Sequence, residues 1–366
     1  MRSAIGCAAL GVLLLVVAGT FDAEPLYVTG SALALLGAGA AAWIGAGAWG
    51  ATVEREISAR SVLEEQPLDV RIRAGAGRLP LPPGWIDEPL LPEPVRFRAG
   101  RRSTRVRVEV TFGRRGRRRL APPVLVLRDP FGLAQRVVTG AHTDEVLVLP
   151  RVYPVRAVAG GGDATPAHAR AALIAAAETE IDGLREHRPG SPASRIHWPA
   201  LAKGQGLMER KLISEADSRP LVVLDPRTPA SQDALDAAVR AAASLAMHFA
   251  RRTGCSLLLP GDRRASVIEH DLLAWPALHV RMALMDDRAG PSLAAAQNRR
   301  GLVIYVAARP VDRAPRGLGR TPGGCLIVVP GDLPGRRPIL EVAGCHGYAA
   351  GRHSGAAATR AMEGAA

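Results

Sequence analysis

The chain has 366 residues, 48% apolar and 22% charged, so it is long enough for two domains and too apolar to be disordered. Four cysteines in that length exclude a disulfide-dense secreted scaffold. The net charge of +13 rests on 47 basic residues, of which only Lys203 and Lys211 are lysine. Arginine with abundant Ala, Gly and Pro is what a GC-rich genome encodes, so the charge alone does not indicate nucleic acid.

In chain order, residues 3–21 carry no charge, and neither do residues 25–53. Each stretch can cross a hydrocarbon core of roughly 30 Å, which takes about 20 apolar residues. Only Asp22-Ala23-Glu24-Pro25 separates them, so residues 1–53 read as a transmembrane helical hairpin. Arg2 precedes the first span, Arg55 and Arg60 follow the second, and the turn is acidic. The positive-inside rule then predicts a cell-membrane protein with two spans and both termini in the cytoplasm. A cleaved signal peptide at residues 2–20 is the competing reading, and the second apolar stretch argues against it. Gly6, Gly11, Gly19, Gly37 and Gly45 are candidates for close helix contact. Cys7 lies in the first span. Cys255 and Cys325 sit in apolar runs and are expected in a core, and no zinc-ligand spacing is present.

Residues 54–150 read as a small antiparallel β-sandwich. Residues 105–112 alternate polar and apolar, a strand with one wet face, and Val70-Arg71-Ile72-Arg73 repeats the pattern. Residues 124–127 and 146–149 are short buried-strand candidates, and proline clusters at 79–83 and 89–94 break the chain between strands. Residues 95–119 hold eleven arginines and one glutamate, +10 of the chain's +13. Arg101, Arg102, Arg105, Arg107, Arg114, Arg115, Arg117 and Arg118 are the candidate anionic-surface residues. Three readings stand: contact with anionic membrane lipids, a phosphate-bearing partner, or a solvated strand face. Nucleic acid ranks low, because no aromatic side chains interleave with the arginines.

Residues 151–349 read as α/β. Residues 220–225, 255–260, 302–307 and 326–329 are buried-strand candidates. Residues 231–252 form a helix with Leu235, Val239, Ala242, Leu245 and Phe249 on one face, ended by Gly254. Residues 271–285 are a second helix candidate with Pro276 inside it. The alternation predicts a mostly parallel, doubly wound sheet. Residues 350–366 are expected to be a flexible tail.

The densest cluster of polar groups is residues 183–203, which include Leu184, Arg185, His187, Gly190, Ser191, Arg195, Ile196, His197, Trp198 and Ala202. Upstream, Arg115-Gly116-Arg117 leads through Leu120, Pro122 and Val124 to Asp129-Pro130-Phe131-Gly132-Leu133, and then to Val148-Leu149-Pro150-Arg151-Val152-Tyr153-Pro154. These two stretches, in this order after two spans, resemble the bacterial domain-of-unknown-function family 58. Leu184, Arg185, Gly190, Arg195, Ile196, Trp198 and Ala202 match its signature, while His187 and Ser191 stand where the family has Tyr and Asp. The resemblance covers about residues 5–260.

The resemblance implies a von Willebrand factor A-like domain after the signature. Such a domain holds a divalent cation through D-x-S-x-S at the end of its first strand, with hard oxygen ligands suited to Mg²⁺. Here the stretch is Asp225-Pro226-Arg227-Thr228-Pro229. Asp225 remains, both hydroxyl positions are lost to Arg227 and Pro229, and Thr228 is out of step. The expectation is therefore a degenerate metal site with no cofactor, Asp225 being paired to Arg227 or another arginine rather than to Mg²⁺.

The resemblance further implies a non-enzymatic, membrane-tethered adaptor or scaffold. Its partners would be a MoxR-type AAA+ ATPase and a neighbouring transglutaminase-like membrane protein. Arg185, Gly190, Arg195, His197 and Trp198 are the candidate partner-binding residues, with a structural role at the domain junction as the plainer reading. The alternative function is a membrane-bound hydrolase or transferase using the His187/His197 region. The sequence has no nucleophile elbow and no phosphate-binding P-loop, so no catalytic residue is assigned.

Overall fold

The computed structural model describes residues 1–158, 184–186, 198–204, 206–210, 219–297, 299, 301–318 and 324–350. The chain divides into two compact units, Met1–Gly113 with Arg117–Val148, and Arg114–Gly116 with Leu149–Ala366.

The first unit opens with α1 (Arg2–Phe21) and α2 (Glu24–Ala48), both long and apolar enough to cross a membrane. Asp22 adopts the left-handed conformation that turns the chain between them, and Pro25 sits in the first turn of α2, where its missing N–H costs nothing. Ala4, Gly11 and Ala18 of α1 are buried at seven-residue intervals, as are Gly30, Gly37 and Ile44 of α2. A β-carbon at Gly11 would lie 2.3 Å from the Ala34 nitrogen, and one at Gly37 would lie 2.5 Å from the Ala4 carbonyl oxygen. The helices therefore meet backbone to backbone, in the small-residue mode of membrane helices. Gly6 and Gly45 have nothing within 4 Å and take no part.

Three sheets follow. The first has the order β1 (Thr52–Ile57), β3 (Leu68–Gly75), β6 (Ser103–Val110), all antiparallel. The second runs β5 (Val95–Phe97), β4 (Gly84–Asp87), β8 (Val124–Arg128), β9 (Gln135–Thr139), also antiparallel. The third runs β2 (Ser61–Leu63), β10 (Asp144–Leu149), β7 (Gly116–Leu120). Alternate residues Leu68, Val70, Ile72 and Ala74 of β3 enter a core completed by Ile86, Leu125, Leu127, Val146 and Val148. The strand expected at 105–112 lies two residues earlier, because its partner β3 begins at Leu68, opposite Val110, and the ladder ends there.

The Arg55 side chain on β1 is wholly buried. It donates to Glu88 at 2.7 Å, to Asp144 at 2.8 Å, and to the carbonyls of Leu120 and Ala121 at 3.0 and 2.9 Å. A residue counted towards membrane orientation in the sequence thus ties β1 to the segments around β4, β7 and β10.

The second unit is built on an eight-stranded mixed sheet in the order β11 (Arg156–Ala157), β19 (Leu340–Val342), β20 (Cys345–Ala349), β18 (Cys325–Pro330), β17 (Val303–Ala307), β14 (Leu221–Asp225), β15 (Cys255–Leu258), β16 (Ser266–Ile268). The four central strands β18, β17, β14 and β15 are parallel, and the flanking pairs are antiparallel. The sheet is thus less parallel than the strand–helix alternation predicts. Ala343 and Gly344, both with positive φ, close β19 onto β20 as a tight hairpin, and so short a link admits only antiparallel pairing.

Among the described residues of this unit lie two helices and a shorter third. The third, α3 (Trp198–Ala202), comes first in the chain, near the two-stranded pair β12 (Leu184–Glu186) and β13 (Met208–Arg210). Next is α4 (Gln232–Thr253), capped by Ser231, whose hydroxyl accepts the Ala234 N–H at 3.1 Å, and ended by Gly254 at φ 77°. Its Leu235, Val239, Ala242, Leu245 and Phe249 are buried against Val222, Leu224, Ile304, Val306 and Val328 on one face of the sheet. Last is α5 (Trp275–Ala283), shorter than the expected 271–285 because Pro276 belongs to its first turn rather than its interior. The opposite face of the sheet buries Leu221, Val223, Val303, Tyr305 and Ile327 under Ala296, Leu318 and Leu333, which lie in a 3₁₀ turn and loops. Among the described residues no long α-helix covers that face, where a doubly wound sheet would carry one.

Candidate functional site

The parallel strands all end at one edge of the sheet, and β14 is where the chain changes direction. From β14 the chain moves to β15 on one side and later returns to β17 on the other. Loops diverge above such a switch point, and ligands in open α/β sheets bind there. Asp225 is the last residue of β14, in register with Ala307 at the end of β17.

The Asp225 side chain is fully buried and both of its oxygens are engaged. Arg227 donates to Oδ1 through Nε at 2.8 Å and to Oδ2 through Nη2 at 3.0 Å, a bidentate pair, and its backbone N–H adds a bond to Oδ1 at 3.2 Å. Arg309 donates to Oδ2 at 3.3 Å, and the Tyr305 hydroxyl donates to the same oxygen. Arg309 also donates through Nη1 to the Arg227 carbonyl at 2.7 Å and to the Thr228 hydroxyl at 3.2 Å. That bond holds a turn in which Thr228 has φ 46°, an unfavourable conformation for a β-branched residue. Gly290 completes the seat, since a β-carbon there would lie 2.4 Å from Arg227 Nε.

The charge states are fixed. Burial pushes the Asp225 carboxyl up, but the hydrogen bonds from Arg227 and Tyr305 outweigh it and hold the group below the ordinary carboxylate range. Bonding to Asp225 raises Arg227 above its usual value. Burial, then the bond to Asp225, raises the Tyr305 phenol above its usual value. None of the three gives or takes a proton near neutrality. One carboxylate under two guanidiniums leaves one net positive charge, and the Arg227 and Arg309 side chains are 45% and 31% exposed. The site can therefore hold an anionic group arriving from solvent. It does not suit a divalent cation, because guanidinium and phenol donors already fill both carboxylate oxygens. Among the described residues there is no cluster of three or more His, Cys, Asp or Glu side chains that could hold a metal ion.

Asp225, Arg227 and Thr228, singled out in the sequence, are thus brought together. Tyr305, Arg309 and Gly290 were missed. Parallel pairing of two neighbouring strands would have pointed to Arg309, which sits two residues beyond the end of β17, as Arg227 sits two beyond β14.

Of the signature residues, Arg185 lies on β12 opposite Glu209, and Trp198 opens α3, 59% exposed. His187, Gly190, Arg195 and His197 lie outside the described residues. The candidate anionic surface is divided. Arg101, Arg102 and Arg105 are exposed, whereas Arg107 is bound by Asp69 at 3.0 and 2.8 Å. Arg117 faces Glu145 at 3.6 Å, and Arg118 is half-buried. Arg114 and Arg115 belong with the second unit, where Arg114 bonds Asp233 and Arg115 is buried against Asp236. Buried Arg115 is not part of any exposed cationic surface.

No protein-family model matches this chain, and no curated protein matches it.

Proposed function

We propose that this chain is a non-enzymatic, membrane-tethered adaptor. In this reading α1 and α2 cross the cell membrane with both termini in the cytoplasm, and the two soluble units bind partners there. The acidic turn Asp22–Glu24 and the basic residues Arg2 and Arg60 support that orientation. The first unit corresponds to a β-sandwich. The second corresponds to the von Willebrand A-like domain of the bacterial domain-of-unknown-function family 58, supported by the switch point at β14 and the acidic residue that ends it.

The observation that carries this reading is the Asp225 centre. Its groups are locked in charge states suited to recognition rather than proton transfer, at the edge where such sheets bind ligands. The two arginines replace a bound cation as the positive element that accepts a partner's carboxylate. The partner implied by the resemblance is a MoxR-type AAA+ ATPase, with a transglutaminase-like membrane protein as a second. The test is a cross-linking pull-down of the full-length protein from its own cells, read by mass spectrometry. Recovery of the ATPase, lost in Arg227→Ala/Arg309→Ala but with membrane retention unchanged, supports the adaptor and its site. Recovery unaffected by that variant but lost in Arg195→Ala or Trp198→Ala moves the contact to the signature. Recovery of no ATPase overturns the reading.

A further inference from the structure

The loop between β8 and β9, Asp129-Pro130-Phe131-Gly132-Leu133-Ala134, is held rigid by its first residue. Asp129 is buried; its carboxylate accepts the Phe131 N–H at 3.0 Å and also the Ala134 N–H. The Gly132 N–H donates to the Asp129 carbonyl at 3.0 Å, and the Asp129 N–H to the Ala134 carbonyl at 3.1 Å. So braced, the loop presents Phe131 with 71% of its surface exposed. An exposed phenylalanine on a rigid loop calls for a reason.

Its place on the helix pair supplies one. Leu133 and Ala134 pack with Ala4, Ala40 and Ile44 of α1 and α2. Beside them, Gly47 approaches Pro82 so closely that a β-carbon would lie 2.3 Å from the ring. At about 1.5 Å per residue α2 is some 37 Å long, longer than a hydrocarbon core of roughly 30 Å. Ala40 and Ile44 lie about 6–12 Å from its C-terminal end by the same rise. The loop is therefore level with the zone where acyl chains give way to headgroups.

Next to the loop opens a pocket of about 950 Å³, lined among others by Trp85, Phe97, Glu93, Arg96, Arg128 and Phe131. Arg96 and Arg128 are both exposed, and neither guanidinium has a polar partner among the described residues. Arg128 lies over the loop, since a β-carbon on Gly132 would meet its Nη2 at 2.6 Å. Glu93 is the exposed carboxylate of the lining, and Asp129 is committed to the loop, so the open part of the pocket carries one net positive charge.

We propose that this pocket binds the headgroup of an anionic phospholipid. Arg96 and Arg128 take the phosphate, and Phe131 lodges at the glycerol and acyl boundary of the same leaflet. The inference rests on the reading that α1 and α2 span the bilayer. It concerns a different surface from the exposed arginines of β6.

The test uses the full-length protein in nanodiscs of phosphatidylcholine with a minority of phosphatidylglycerol, with retained lipid read by native mass spectrometry after release into mild detergent. The wild type is expected to retain phosphatidylglycerol over phosphatidylcholine. Arg96→Gln/Arg128→Gln should cut that retention about tenfold. Phe131→Ser should cut it less, and millimolar inorganic phosphate should not displace the lipid. The control Arg73→Gln/Arg105→Gln removes two charges from a cross-strand pair on the β3–β6 face. An equal loss in the control overturns the pocket in favour of diffuse surface charge. Equal retention in wild type and Arg96→Gln/Arg128→Gln overturns it outright, and displacement by phosphate overturns the lipid in favour of a soluble anion. Failure of the wild type to enter nanodiscs overturns the spanning reading and this proposal with it. That result is distinct from incorporation without lipid preference.

Discussion

Among the carboxylate–arginine pairs of the two units, the Arg55 and Asp225 centres are built inside out relative to each other. In the first unit the cation is enclosed: the Arg55 side chain is fully buried, and two carboxylates and two carbonyls close around it. In the second the anion is enclosed: Asp225 is fully buried, and two arginines reach it from a partly exposed rim. Both are strong, hydrogen-bonded ion pairs. The enclosed cation has no free valence towards solvent and serves only to join strands. The enclosed anion leaves its counter-charges on the surface, where they remain available to a second anion.

The two centres differ most in what the loss of the enclosed charge does. Arg55→Ala leaves buried Glu88 facing no cation, and should cost about 3–5 kcal/mol, a fall in Tm large enough to compromise folding. Asp225→Asn removes a charge but leaves rim arginines that water can reach. It should cost only about 1–3 kcal/mol, and Mg²⁺ should not raise the Tm of either the wild type or the variant.

Acid titration separates the two centres by sign. Burial raises Glu88 above its ordinary value of 4.5, against the pull of Arg55. Its contribution to stability therefore improves as pH falls through its folded-state pKa towards 4.5. Asp225 lies below its ordinary 3.8, so its contribution is complete above that pH and is lost as pH falls through its lower folded-state value. In Tm measured from pH 7 to pH 3, Glu88→Gln should flatten the first effect and Asp225→Asn the second. A single curve shared by both variants and the wild type would erase the distinction. The smallest effect is expected at Gly290→Ala, where the added methyl must displace Arg227. About 1–2 kcal/mol should be lost, with partner binding weakened more than stability.

The parallel core was legible because strands buried on both faces are continuous apolar runs, such as Leu221-Val222-Val223-Leu224, and α4 because its apolar face repeats every three to four residues. Strands of the first unit were harder to read. β1 is Thr-Val-Glu-Arg-Glu-Ile, and its one buried arginine looks like a solvated one in sequence. β4 is four residues between two proline clusters that read as breaks. The helix contact was half legible: Gly11 and Gly37 stand out in sequence, but not Gly30, nor the seven-residue interval that passes over Gly6 and Gly45. At the site, Asp225 and Arg227 are neighbours in sequence and could be paired on paper. Tyr305 and Arg309 join them only through the β14–β17 register, which no local pattern encodes.

The backbone-to-backbone contact of α1 and α2 has a mechanical consequence. With no side chains interposed at Gly11, Gly30 and Gly37, the helices cannot slide past one another without carbonyl and amide groups colliding. Were the hairpin to span a bilayer, as proposed, a load on the rest of the chain would be borne by both helices at once. The turn at the far end would then act as a toggle bolt. Pulling the hairpin out draws the carboxylates of Asp22 and Glu24 through hydrocarbon, at roughly 3 kcal/mol each.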